Sequence, residues 1–232
     1  MHSTFVRTRS TWVVSALLIA ALLGTGPIAQ LDDYHAFADA RVVAGLAHGA
    51  DVVSNIGFLI VGLYGLLLPG RREPAFAVLC AALVATACGS SWYHLAPDDV
   101  RLVWDRLPIA IACTAVLACA SGRHLIPLVA FGIASVPWWS WSGDLRPYLL
   151  LQILPLVLVP LLQWQRADPP RERLLFGAAV ALYALAKVCE LADHAVYGAL
   201  QVVSGHTLKH VLATLAALAL VRLWGAASAL KG

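Results

Sequence analysis

The sequence predicts an all-α polytopic membrane protein, a seven-transmembrane helix bundle with an extra N-terminal hydrophobic helix. Three observations predict it. The 232 residues are 60% hydrophobic and only 12% charged, with a mean hydropathy of +0.78, a composition that cannot cover its apolar surface in water. The long apolar runs approach or exceed the roughly 18 to 20 residues that cross a hydrocarbon core. Between them lie only short polar interruptions such as PGRREP, SGRH and QRADPPRER, so no separate soluble domain fits.

In chain order the apolar stretches are about 12–29, 52–69, 74–95, 102–120, 124–141, 147–164, 174–197 and 204–223. The first follows Arg7 and Arg9 and reads as a signal anchor or a secretory signal peptide; Pro27-Ile28-Ala29 fits a cleavage site poorly, which favours a retained helix. The organisation is then 1–30 N-terminal hydrophobic helix, 31–51 extracytoplasmic loop, 52–224 seven-helix membrane domain and 225–232 cytoplasmic tail. Orientation follows from Lys and Arg, which are enriched in cytoplasmic loops. With the N-terminus inside, ten fall inside (Arg7, Arg9, Arg71, Arg72, Arg123, Arg166, Arg171, Arg173, Arg222, Lys231) and four in or near outer loops (Arg41, Arg101, Arg106, Arg146). The net charge of +3 is a topology signal and implies no nucleic-acid partner. Cys80, Cys88, Cys113, Cys119 and Cys189 form no CxxC pair and read as small core residues. The run PWWSWSG reads as an interfacial aromatic belt.

Titratable groups in membrane segments are costly, so each raises a functional question. Ser90 and His94 lie late in the third stretch, and Asp105 early in the fourth. Lys187, Glu190, Asp193 and His194 lie late in the seventh, and His206, Lys209 and His210 open the eighth. Helical rise of about 1.5 Å per residue puts all of them near one level, by the outer surface. His206 and His210, at i and i+4, share a helix face; with His94 they make three imidazoles, a donor set that suits zinc with an open fourth position. The competing account is a hydrogen-bonded polar cluster that ties helices together. Asp105 reads either as an interfacial ion pair with Arg101 or Arg106, or as the group that takes a proton from attacking water. Pro108 is expected in the first turn of its helix. Lys187–Glu190 and Glu190–His194 read as intrahelical pairs, with Lys209 reaching Glu190 or Asp193; alternatively Lys187, Glu190, Asp193 and Lys209 orient a ligand histidine from behind. His35, His48 and His124 receive no role.

The ordered set Ser90-x-x-x-His94, Asp105 in VWDRLP, and His206-x-x-x-His210 opening the last helix resembles the alkaline ceramidase family and its wider superfamily, which includes the adiponectin-receptor-like proteins. DVVSNIGFLIVG, from Asp51 to Gly62, is similar to that family's opening helix. The resemblance covers about residues 50–225. It implies zinc held by His94, His206 and His210, Asp105 positioning or deprotonating water, and Ser90 hydrogen-bonding the oxyanion or the water. The implied activity is hydrolysis of the amide of ceramide or a related N-acyl membrane lipid to a fatty acid and an amine lipid. The family's acidic, Trp-containing calcium pattern is missing from QLDDYHAFADARVVAG, so calcium is not expected. That departure and the extra N-terminal helix resemble the bacterial branch, which implies a bacterial inner membrane, with both termini cytoplasmic if the first helix is retained and the site near the extracytoplasmic face. The alternatives are a non-enzymatic zinc-containing receptor or structural protein of the same superfamily, and a transporter using Lys187, Glu190 and Asp193 as a proton relay. The natural lipid and the oligomeric state are not readable from the sequence.

Overall fold

The computed structural model describes residues 2–69 and 73–229, with side chains from 10 to 69 and 73 to 225. Arg71, Arg72 and Lys231, and the side chains of Arg7 and Arg9, which carried part of the orientation argument, lie outside the described residues. The described chain is helical, with no strand.

α1 (His2–Gly24) is followed by a loop over 25–48, then α2 (Gly49–Ser54) and α3 (Ile56–Leu67), α4 (Pro74–Leu95), α5 (Asp99–Ser121), α6 (Leu125–Ser142), α7 (Arg146–Arg166), α8 (Pro170–Leu191), α9 (Asp193–Leu200) and α10 (Gly205–Ala229). Among the described residues, seven spans are long and apolar enough to cross a membrane, with α2 and α3 acting together as Gly49–Leu67; the apolar part of α1, Ser10–Gly24, is shorter. Local chemistry sets the ends. Proline at the first turn opens α4, α7 and α8, where its missing N–H has no intrahelical partner to lose. Asp98 caps α5 by accepting from the Arg101 N–H, and Gly122 ends it at φ 67°, a left-handed stop that glycine takes without a Cβ clash.

Apolar side chains bind the helices along three contiguous seams. Leu79, Val116, Leu158, Phe176 and Leu223 join α4, α5, α7, α8 and α10. Phe58, Phe76, Leu83 and Val221 join α3, α4 and α10. Tyr93, Leu102, Trp139, Tyr148 and Leu151 join α4 to α7 at the opposite end. α1 lies along α7, with Val14, Leu18 and Leu22 against the first seam and Gln165 donating to Ser10 at 2.8 Å. Trp92, Trp104, Trp138 and Trp141 face outward, the placement expected where rings sit at a membrane–water boundary.

Two sequence expectations need correction. Because Asp98 caps α5 so early, Pro108 sits inside the helix rather than in its first turn. The apolar run 174–197 is not one helix: it breaks at Ala192, between α8 and α9. Both departures bear on the site. Pro108 has no N–H for the Trp104 carbonyl four residues back, and the backbone of α4 passes close to that carbonyl: a Cβ built on Gly89 would lie 2.1 Å from the Trp104 oxygen. At the other break, a Cβ on Gly205 would lie 2.1 Å from the Cys189 oxygen. Each glycine precedes a polar site residue, Ser90 or His206, and each carbonyl precedes an acid, Asp105 or Glu190. Two close backbone contacts thus bring four site residues to one end of the bundle.

Candidate metal centre

His94 comes from the last turn of α4, and His206 and His210 from the first turns of α10. Their side chains are 1%, 5% and 3% exposed. One ring nitrogen from each lies within 4.8 Å of the others, and the ring centroids stand 4.8 to 5.0 Å apart. The rings do not hydrogen-bond one another: His94 Nδ1 and His206 Nε2 are buried with no partner. An imidazole nitrogen taken from water without a partner is costly, so a cluster that merely glued helices would leave that cost uncompensated. A cation accepting those lone pairs removes it.

The third histidine has its tautomer fixed by neighbours. The Ser54 hydroxyl donates to the Asp51 carbonyl at 2.8 Å and lies 2.7 Å from His210 Nδ1. A hydroxyl has one hydrogen, so His210 Nδ1–H donates to Ser54, and Nε2 carries the lone pair. That is how metal-ligating histidines are usually oriented. Three buried imidazoles whose ring nitrogens converge in this way fit a divalent metal, which neutral imidazoles ligate. No fourth His, Cys, Asp or Glu joins the group among the described residues.

Asp105, 7% exposed, has the Ser90 hydroxyl facing its carboxylate. The ion-pair reading of Asp105 does not hold among the described residues: Arg101 pairs with Asp98, and the guanidinium of Arg106 lies over the rings of Trp139, Tyr34 and Tyr148. Glu190 receives Lys187 Nζ at 2.6 Å and Lys209 Nζ at 3.0 Å. Lys209 therefore pairs with Glu190 and not with Asp193. Asp193 instead accepts the His206 backbone N–H at 2.7 Å and the Ala38 N–H at 2.9 Å, fastening a ligand-bearing turn to the 25–48 loop. The expected Glu190–His194 pair does not form: the helix break turns His194 outward, where Nε2 meets the Ala36 carbonyl at 2.9 Å.

That loop covers the centre. The Phe37 ring stands edge-on to His206 and His94, with centroids at 4.4 and 4.8 Å, and His35 Nδ1 lies 2.9 Å from the Tyr93 hydroxyl. Arg41 clamps Asp39 through two hydrogen bonds and holds its carboxyl below the usual carboxylate range. At the neighbouring corner, Arg146 pulls Asp144 down to about 2, and Asp144 accepts the Ile28 N–H at 3.2 Å. Sequence reasoning gave Phe37, His35 and Ser54 no role. Ser54 lay inside the quoted DVVSNIGFLIVG stretch, which was the one available signal.

Ser90, Asp105, Glu190, Lys209 and His210 form the polar end of a cavity of about 310 Å³. Its other end is apolar, lined by Leu79, Phe176 and Leu220. From Ser90 to Leu79 along α4 the cavity runs roughly 16 Å, by helical rise. α7 and α8 flank it and meet each other at few points; Tyr183 on α8 bridges them by donating to Gln152 on α7 at 2.7 Å.

Fold and site together define a class: an integral membrane helical bundle with a buried three-histidine group able to hold a metal ion. Comparison with protein-family models, curated proteins and solved structures found no match.

Proposed function

We propose that the protein is a zinc-dependent intramembrane hydrolase that cleaves the amide of ceramide or a related N-acyl lipid, releasing a fatty acid and an amine lipid. The observation that carries this reading is a three-histidine group that no fourth His, Cys, Asp or Glu joins among the described residues, beside a buried carboxylate that shares a long, apolar-ended cavity with one of the histidines. A structural zinc site, as in the receptor alternative, is normally closed by four protein ligands.

His94, His206 and His210 would hold the ion, which when bound supplies Lewis acidity and a water acidified to a pKa near 7. Asp105 would take a proton from the attacking water as its oxygen bonds the amide carbonyl carbon and the carbonyl π pair moves onto oxygen. As the C–N bond breaks, Asp105 returns the proton to the leaving nitrogen. Ser90, whose O–H faces the carboxylate, orients it; once Asp105 carries the proton and can itself donate to Ser90 Oγ, that O–H is free to turn to the charge on the carbonyl oxygen. The apolar end of the cavity takes the acyl chain, and the gap between α7 and α8 gives lipid a lateral route inward. The positive-inside distribution of Lys and Arg supports a site by the extracytoplasmic face, and the resemblance to the bacterial branch supports a bacterial inner membrane.

The test is fatty-acid release from a panel of N-acyl lipids by detergent-purified protein. Wild type should release fatty acid from at least one, and Asp105→Ala should lower the rate by roughly 10²- to 10⁴-fold while keeping its metal. A wild-type protein that carries one metal ion and cleaves no amide would favour the receptor or structural reading.

A further inference from the structure

Among the described residues, five charged side chains line the cavity: Asp105, Arg106, Lys187, Glu190 and Lys209. Four have company, since Glu190 holds both lysines and Asp105 faces Ser90. Arg106 is the exception. It is 3% exposed, its Nε and Nη1 are buried without a hydrogen-bond partner, and among the described residues no carboxylate lies within ion-pair distance of it. Three rings surround it instead, with the guanidinium carbon 3.9 Å from the Trp139 centroid, 5.0 Å from Tyr34 and 5.3 Å from Tyr148. Aromatic faces hold a guanidinium flat and in place, but they do not satisfy N–H groups that lie in its plane. A buried guanidinium left this way is costly, and its planar fork matches carboxylate or phosphate oxygens.

Position narrows what the anion belongs to. Arg106 follows Asp105 in α5 and lines the same cavity, at the end where the 25–48 loop contributes Tyr34 and α7 contributes Tyr148. The acyl end points the other way, toward Leu79 and Leu220. A group reaching Arg106 while the amide lies at Asp105 must therefore belong to the amine half of the substrate. We infer that Arg106 is an anion-recognition residue, and that the preferred substrate is an N-acyl lipid whose amine part carries a carboxylate or a phosphate within a few bonds of the amide. This rests on the amide-hydrolase reading above and refines it.

The test uses uncleavable ligands, so it reads binding by the metal-loaded protein without turnover. In these a methylene replaces the amide nitrogen of a dodecanoyl amide, and the short arm beyond it ends in a carboxylate, a phosphate or a neutral hydroxyl. Wild type should bind at least one anionic ligand roughly ten- to hundredfold more tightly than the hydroxyl ligand, the range for a charged hydrogen-bonded contact. The larger of the two anionic preferences identifies carboxylate or phosphate as the natural group. Arg106→Gln should bring the preference to about one, and Arg106→Lys should keep part of it. Equal wild-type binding of the neutral and both anionic ligands would overturn the inference, whether or not either variant folds; so would a preference that survives Arg106→Gln. Failure of the hydrolase reading itself would show separately, as no fatty acid released from the cleavable amides.

Discussion

His210 shows how much of a metal site is decided one atom away from the ligand. Its Nδ1–H is committed to Ser54, which is committed to the Asp51 carbonyl, so the ring cannot rotate without losing the bond to Ser54, nor change tautomer without turning that hydroxyl away from the carbonyl. Removing such a support typically costs 10- to 100-fold in metal affinity. Ser54→Ala should therefore weaken metal binding by about that factor, measured by competition with a chelator, while Ser91→Ala, whose hydroxyl bonds only the Val52 carbonyl, should leave it unchanged. Equal affinities for Ser54→Ala and wild type would show that the tautomer is held in another way. At this scale the sequence displayed the three histidines, because an i, i+4 pair and a matching depth are arithmetic. It did not display Ser54, because a serine in an apolar helix looks the same whether it bonds its own backbone or a ring on a distant helix. Arg106 was hidden for a related reason: its neighbours Arg101 and Asp105 suggested an ion pair, and the rings of Trp139, Tyr34 and Tyr148 come from other segments.

At the site end of the bundle, helix packing depends on Gly89 and Gly205. Gly89 lets α4 approach the Trp104 carbonyl, which Pro108 leaves without its usual helical donor, and Gly205 lets α10 start against Cys189. In both places a methyl group would have to displace backbone, and the helices would have to separate. Gly89→Ala should lower the thermal unfolding temperature in detergent and pull Ser90 away from Asp105, with loss of turnover; Gly177→Ala, at a position where a Cβ meets nothing within 4 Å, should do neither. A Gly89→Ala protein as stable and active as wild type would refute the close-packing account. Most spans were legible from hydropathy alone, since length and apolarity suffice. The break at Ala192 was not, because the run continues through Val196 and Tyr197. What ends α8 there involves Asp193, which spends its carboxylate on the backbone of His206 and Ala38, partners far away in sequence. Pro108 was misplaced for the reverse reason: the Asp98 cap starts α5 earlier than the apolar pattern does.

At the scale of the whole molecule, one end of the bundle gathers the polar groups under the 25–48 loop, and an apolar cavity descends from them among α4, α5, α7, α8 and α10. If that cavity holds an acyl chain, its length sets chain selectivity. Ala179, buried on the cavity wall, is placed to shorten it: Ala179→Trp should shift fatty-acid release toward shorter chains, read as the ratio of rates for short- and long-chain amides, and an unchanged ratio would place the acyl chain elsewhere. The loop's closure over the histidines could not be read from its composition, since Phe37 and Tyr34 look like ordinary loop aromatics until the fold lays them on the site. The central claim, that His94, His206 and His210 jointly hold one catalytic metal ion, is tested most directly by metal analysis of purified wild type and of the three single His→Ala variants beside Asp105→Ala. The account predicts about one zinc per chain in wild type and Asp105→Ala, and loss of the metal in each histidine variant. Unchanged zinc in all three histidine variants, or no bound metal in wild type purified without chelator, would contradict it.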